Sequence, residues 1–498
     1  MSHVSYRQES HSGETDYVVV GSGAGGAVAA VELARGGAHV TLVEAGAWRD
    51  PEHYPYSVYG ALHHLFDDWG SLVARGRAMW PIVQGRCVGG TTVINSAICV
   101  RTPEDIFAQW QREHGVSGLR DAVLGHQEEL ERELCATPVP PQSAGRANQL
   151  ALVGANQLGY KSHVITRYVK GCAGTGQCLQ GCRGRKKQSL NITFVRELDE
   201  RGGDILSCAP VDRILLEGRR AVGVSGRFRD PSSRRRGGKF LIRARRGVLV
   251  AASVTRSPLL LARSGVSLPA LGKFFRAHPG TGVFGVYDEV VDMNVGATQG
   301  WASTAFRSEP GLKLETLSLP PEMVASRLSG GGTELVSKLR EYRHLAMWVA
   351  AVRAESVGEV RSGLLGQPVV RYALDRADME RLRHGLVLVA RTHFAAGAKR
   401  ILPGVYGLPY SLGPDEVKLL EQGPLDPRAY VAVISHLFGG CVMGSDPARS
   451  VVDDHGRVHG HTGLVVCDAS VIPTNLGVNP QHTIMGLART FARRLLGA

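Results

Sequence analysis

No stretch of this chain approaches the roughly 18 apolar residues that a membrane-spanning helix needs. Apolar runs such as those at 247–252 and 385–390 stop far short. The opening segment, MSHVSYRQESHSGETD, lacks a basic stretch followed by an apolar one. It does not read as a secretory leader, so a cytoplasmic chain is the expectation, with export on a partner subunit left open. No G-X-Y period runs through the sequence, which excludes a collagen-like fibre, and there is no internal repeat or low-complexity tract. Acidic residues are in the minority, 45 against 58 Lys and Arg, for a net charge of +13. That excess raises nucleic acid as a partner, yet the charge is scattered. Its densest run, Arg234 to Arg236 with Lys239, lies in a Pro/Gly/Ser segment between two strand-like stretches and reads as an exposed hairpin loop. With no aromatic interleaving and no nucleic-acid motif, no nucleic-acid partner is expected. Cysteine is sparse and odd in number, nine in all, which argues against a disulfide framework.

Glycine is in excess: 62 of 498 residues, well above the usual ~7%. Without a fibre period, these glycines must serve local turns and close backbone approaches. The length points to two or three domains, or to one large domain with an insertion. The clearest order lies in residues 16–46, DYVVVGSGAGGAVAAVELARGGAHVTLVEAG. A short apolar strand over 17–20 runs into glycines, then a helix over 25–35, then a second strand over 39–43 that ends at Glu44. This is a βαβ unit. Gly21, Gly23 and Gly26 form G-x-G-x-x-G where strand passes into helix. The first allows the tight turn, the second lets backbone approach a pyrophosphate, and the third brings helix and strand together; the helix N-terminus stabilises phosphate charge. Ala24 and Gly25 complete the turn, and Glu44, with Ala45 beside it, is placed for a ribose hydroxyl. The N-terminal position of the unit and its ending in V-E-A-G favour FAD over NAD.

A second cluster reads Gly85-Arg86-Cys87-Val88-Gly89-Gly90-Thr91-Thr92-Val93-Ile94-Asn95. Together with the first loop it resembles the FAD signatures of the glucose–methanol–choline (GMC) oxidoreductases. Later segments agree: 247–252 with 257–265, then 436–444, 458–460, 467–470 and 477–480. Ser253 and Ser257 stand where the family usually has glycine and threonine. The resemblance spans about 16–275 and 431–498, with a looser match around His278 and Gln299. It implies an α/β fold in which a discontinuous Rossmann-like FAD domain (1–275, including a Cys-rich loop at 165–190, and 431–498) encloses an inserted α+β substrate domain (276–430) on a mixed or antiparallel sheet. Around FAD it places Gly21, Gly23, Ala24, Gly25, Gly26, Glu44, Ala45, Gly85, Gly89, Gly90 and Thr91. It adds Val93 and Asn95 against the ring, and Val211, Ala252, Asp468, Ala469, Asn479 and Pro480.

The resemblance also implies oxidation of the CH–OH group of an alcohol, with hydride passing to flavin N5. The family's base is a histidine in an H-x-x-G-G/T-C turn, and its partner is a later Asn or His; His436 and Asn479 occupy those positions. The chemistry agrees. Hydride leaves a carbinol carbon readily when the hydroxyl proton is removed nearby, and histidine suits that transfer. A neutral amide holds the oxygen without competing for the proton. His482 and His278 read as structural and loop residues. The substrate class is a sterol, long-chain, cyclic or sugar alcohol, with an acceptor other than oxygen. The alternatives are an oxygen-dependent alcohol or sterol oxidase, and a lyase or light-driven decarboxylase that retains FAD.

Cys172, Cys178 and Cys182 fall close together among glycines, in GCAGTGQCLQGCRG. Their spacing resembles the three-iron four-sulfur motif of bacterial FAD sugar dehydrogenases, which implies an iron–sulfur cluster passing electrons to an acceptor protein or quinone. The same stretch, with Lys187 three residues after Gly184, approximates a G-C-x-x-G-x-K pattern of members acting on long-chain or sterol-type alcohols. The residues themselves leave open three packed thiols, a local disulfide or a zinc site.

Overall fold

The computed structural model describes residues 2–497. Strand β1 (His11–Val20) passes through the glycine turn into helix α1 (Ala24–Arg35) and strand β2 (Val40–Val43). Strands β3 (Asp204–Leu206) and β4 (Arg236–Val250) complete the first half of the sheet. Four strands of a second layer follow in chain order: β5 (Lys273–Val286), β6 (Leu312–Thr316), β7 (Leu345–Val352) and, after helix α2 (Arg376–Ala395), β8 (Val433–Phe438). The chain then returns to the first sheet with β9 (Leu464–Val466) and closes on helix α3 (Gln481–Leu496).

In the first sheet β3, β2, β1 and β4 lie side by side, with β9 on β4, all parallel. The register sets Val20 beside Val43 and Val250, and Val250 beside Val466. The carboxyl ends of four strands therefore form one edge, where an open α/β sheet binds its ligand. These strands read as unbroken Val/Ile/Leu runs because both faces are covered. The first half of β4 stays beside β1 and, on its other edge, pairs antiparallel with Arg220–Arg229. Arg236 and Lys239 belong to that extension, so the basic hairpin loop is shorter than the sequence suggested: Arg236 already pairs with Arg229 across the ladder. Helix α1 is buried from Gly25 to Leu33. Only a helix covered on all sides tolerates so few polar residues.

The second sheet is built around β5, which is antiparallel to β7 along one edge and to β8 along the other. β6 follows beyond β7. The order β8–β5–β7–β6 carries the groups of the site described below. This sheet also takes strands Val73–Arg75, Met79–Pro81 and His163–Val164 from earlier in the chain. Every residue of β7 is buried, and α2 packs on it, with the His393 ring stacked on Trp348 at 3.7 Å. The architecture is thus a Rossmann-like α/β layer joined to a second domain on a mixed sheet. Among the described residues, no helix is long and apolar enough to cross a membrane.

Candidate active site

The turn after β1 requires glycine for two separate reasons. Gly21 has φ +98°, and a Cβ there would lie 2.2 Å from the Ala251 carbonyl oxygen. The second glycine cluster meets the first at Gly90, φ +54°, where a Cβ would lie 2.7 Å from the Gly23 Cα. The two loops therefore close on each other backbone to backbone, leaving main-chain groups to face whatever lies between.

They border a cavity of about 710 Å³. Gly21, Gly23, Ala24, Gly25, Glu44 and Ala45 line it, as do Gly85, Gly90, Thr91 and Asn95. So do Val211, Ala252, Asp468, Ala469 and Pro480. Gly26, Gly89 and Val93 do not. Gly26 packs on the Gly21 carbonyl, and the Gly89 N–H donates to Ser22 Oγ at 3.0 Å. Val93 packs with Tyr54, Leu65 and Phe66. Glu44 accepts from Ser22 N (2.9 Å), Ser22 Oγ (2.8 Å) and Gly46 N (2.7 Å). Burial raises its pKa, with those bonds opposing. Asp468 accepts from Ser253 N at 2.8 Å and from Ser470 N at 2.8 Å, which pins the chain leaving β9 to the chain leaving β4. A narrow glycine cradle, an acid at the end of the second strand and a long adjoining cavity are the donor set and shape that a dinucleotide requires.

His436 and Asn479 line the same cavity. Asn479 Nδ2 is 3.2 Å from His436 Nε2. His436 sits on β8, and Asn479 lies just ahead of α3. The other ring nitrogen, Nδ1, is 3.1 Å from Nδ1 of His278 on β5. Burial holds the His436 pKa down to about 4; the nearby Glu315 carboxylate raises it and the Lys313 ammonium lowers it. A histidine so depressed is neutral at pH 7 and free to accept a proton.

Three groups at this site were not read as functional in the sequence. In the sequence His278 reads as a loop residue. It is buried and aligned with His436, and its pKa is pushed well down by burial and by the neighbouring ring. Lys313 and Glu315 alternate on β6, so both point to one face; they pair at 2.7 Å. Lys313 Nζ also donates to the Asn479 side-chain oxygen. Burial raises Glu315, but Lys313 outweighs it and leaves this carboxyl below its ordinary range. The sequence does carry a signal, two opposite charges two residues apart inside an apolar strand, LKLET. His482 lies between Tyr168 OH (2.5 Å) and Glu131 (3.1 Å), both within the chain.

The cysteine loop packs beneath the second glycine cluster. Buried Lys187 donates to the carbonyls of Val93 (2.5 Å), Asn95 (2.7 Å) and Cys178 (3.0 Å), tying the two loops together. The sulfurs have separate partners: Cys178 Sγ accepts from Arg167 Nη2 at 2.9 Å, and Cys182 Sγ from the Lys187 N–H at 3.4 Å. Burial raises the Cys178 thiol, but Arg167 and Lys187 outweigh it and bring it to about 7. Among the described residues, the group whose ligand atoms gather within 4.8 Å of one another is Cys99, Glu131 and His482 rather than the three loop cysteines.

Comparisons with known proteins agree with this arrangement. Two family models described as GMC oxidoreductase match, one over residues 15–280 and one over 354–488. An uncharacterized GMC-type oxidoreductase of Mycobacterium tuberculosis is 36% identical, over 96% of this chain and 75% of its own. A long-chain-alcohol oxidase of Arabidopsis thaliana is 28% identical, over 97% of this chain and 66% of its own. Among solved structures, pyridoxine 4-oxidase from Mesorbium loti has the same fold, with a TM-score of 0.71 and 17% identity over 96% of this chain and 98% of that one.

Proposed function

Because the chain belongs to the GMC oxidoreductase family, and so is an FAD-dependent oxidoreductase acting on CH–OH donors, we propose that it oxidises an apolar alcohol with His436 as the base. FAD, when bound, supplies the hydride acceptor. Gly21, Gly23, Gly90, Glu44 and Asp468 would hold it along the glycine-lined part of the cavity. His436 Nε2 takes the hydroxyl proton, and the Asn479 amide N–H donates to the oxygen as charge grows on it. The observation that carries this reading is the 3.2 Å approach of these two groups in the cavity that the dinucleotide turn also lines. The apolar lining near Glu315, including Leu317, Leu319, Met323, Met347 and Val349, supports a long-chain or sterol-type alcohol over a sugar. The proposed division of the chain at 275 and 430 rests on the same reading.

Anaerobic bleaching of the flavin by a panel of long-chain, sterol, cyclic and sugar alcohols tests it. His436→Ala should keep FAD and slow reduction at least about a hundredfold; an unchanged rate would overturn the assignment of the base. The acceptor divides two readings. An acceptor protein or quinone was the expectation attached to the cysteine loop, whereas similarity to a long-chain-alcohol oxidase favours oxygen; hydrogen peroxide formed per alcohol consumed decides between them. We leave an iron–sulfur cluster out of the proposal, since the three loop sulfurs are not among the described groups whose ligand atoms gather within 4.8 Å of one another. Stoichiometric iron in the purified protein would reinstate it.

A further inference from the structure

Lys313 is almost fully buried, 1% exposed, and its ammonium has two partners that line the cavity: Glu315 and the Asn479 side-chain oxygen. An ammonium has three N–H donors and no lone pair. The amide atom that faces it must therefore be the oxygen, and the NH2 group is turned towards His436 Nε2. That NH2 only donates, so Nε2 carries the lone pair and the proton of the neutral ring lies on Nδ1. Nδ1 meets Nδ1 of His278 at 3.1 Å. His278 then accepts there and holds its own proton on Nε2. Hydrogen-bond polarity runs one way from Lys313 through Asn479 and His436 to His278.

We propose that Lys313, anchored by Glu315, is the positioning residue that sets the tautomer of His436, so that an unprotonated Nε2 beside an amide donor faces the substrate. A hydroxyl entering there meets one acceptor and one donor, the pair that loss of its proton and retention of its oxygen require. With an uncharged group at position 313, the Asn479 amide turns over at little cost. Its oxygen then faces His436 and selects the ring with a proton on Nε2, which cannot act as the base. This inference rests on the reading of His436 as the base, and its tests separate the two.

The FAD-loaded enzyme, labelled with 15N in its histidine rings, reports the tautomer directly by long-range proton–nitrogen NMR, with His436 assigned by its loss in H436Q. The wild type should show a bare Nε2, and the neutral pair K313M/E315Q should show both tautomers. FAD content should be unchanged in K313M/E315Q, and flavin reduction by alcohol should slow about tenfold to a hundredfold. K313R, which still cannot accept a hydrogen bond, should keep the wild-type tautomer. The single variants add a signature that a merely space-filling pair would not give. The groups facing His436 are Lys313 and Glu315 on β6, His278 on β5 and Asn479. Removing the cation in K313M should move the acid limb of the reduction rate to higher pH, and removing the carboxylate in E315Q should move it to lower pH. A wild-type tautomer and rate in K313M/E315Q would overturn the proposal while leaving the base in place. If no alcohol reduces the wild-type flavin, the base assignment fails, and the NMR spectra still decide what Lys313 does.

Discussion

Ser253 shows how much one side chain decides locally. It has φ +86°, in the left-handed region that favours glycine, where an L-residue is held at a penalty of about 1–2 kcal/mol. Its N–H is held by Asp468 at 2.8 Å, and its hydroxyl lies 3.2 Å from Thr255 Oγ1. The backbone bond survives Ser253→Gly and the strain is relieved, so that variant should be more stable by about 0.5–1 kcal/mol once the exposed-chain entropy of glycine is subtracted. Urea unfolding of the two proteins side by side measures this, and a loss would mean that the hydroxyl contact outweighs the strain. The glycines were legible in the sequence because backbone geometry leaves few substitutes at such positions, and His436 and Asn479 because they stand where the resemblance to GMC oxidoreductases places its base and partner. Lys313, Glu315 and His278 were not. Each is an ordinary residue on an ordinary strand, and its role comes from what stands opposite.

Among the helices, α1 and α3 form the firmest long-range pairing in the first domain. Arg489 on α3 is fully buried and meets Glu32 on α1 at 2.9 Å and Glu133 at 2.9 Å. Arg493, one turn later, adds a second bond to Glu32 at 2.9 Å. Removing Arg489 takes one bond each from Glu32, which keeps Arg35 and Arg493, and from Glu133, which keeps Arg35, at a cost of about 1–3 kcal/mol. Arg489→Met should destabilise the protein by about that amount, seen as a lower midpoint in chemical denaturation, while a variant with Glu32 and Arg489 both replaced by apolar residues should recover part of it. Two-state stability unaltered in Arg489→Met would show that the pair contributes nothing. The apolar periodicity of helix α3 is readable in the residues after Pro480. That its arginine would be swallowed by a helix from the opposite end of the chain is not.

For the molecule as a whole, several histidines are held neutral in the interior. His393, stacked on Trp348 and bonded to Tyr287 OH (2.9 Å) and the Val283 carbonyl (3.1 Å), is pushed by burial down to about 3, and His436 to about 4. The unfolded chain takes up protons on these rings as pH falls through about 6.5, and the folded protein does not. Stability from these groups is therefore full above that value and declines below it until the folded pKa is reached, by about 2 kcal/mol for each ring at pH 5. Thermal unfolding followed from pH 7.5 to 4.5 should fall steeply below pH 6.5. His393→Phe should flatten the slope, and an unchanged slope would remove His393 from the account.

By itself the sequence carried the dinucleotide turn and the family, and through the family's motifs it pointed to the two groups proposed as catalytic. The turn depends on local rules: a loop that no Cβ can enter and an acid at the end of a strand. Only the tertiary structure decided which way those two groups face. On the proposal above, the Asn479 amide is oriented by its contact from Lys313, and through it the proton of His436 lies on the nitrogen facing His278, 158 residues away along the chain. Hydrogen-bond polarity belongs to the pair and not to the residue, so it exists only once separate strands stand side by side.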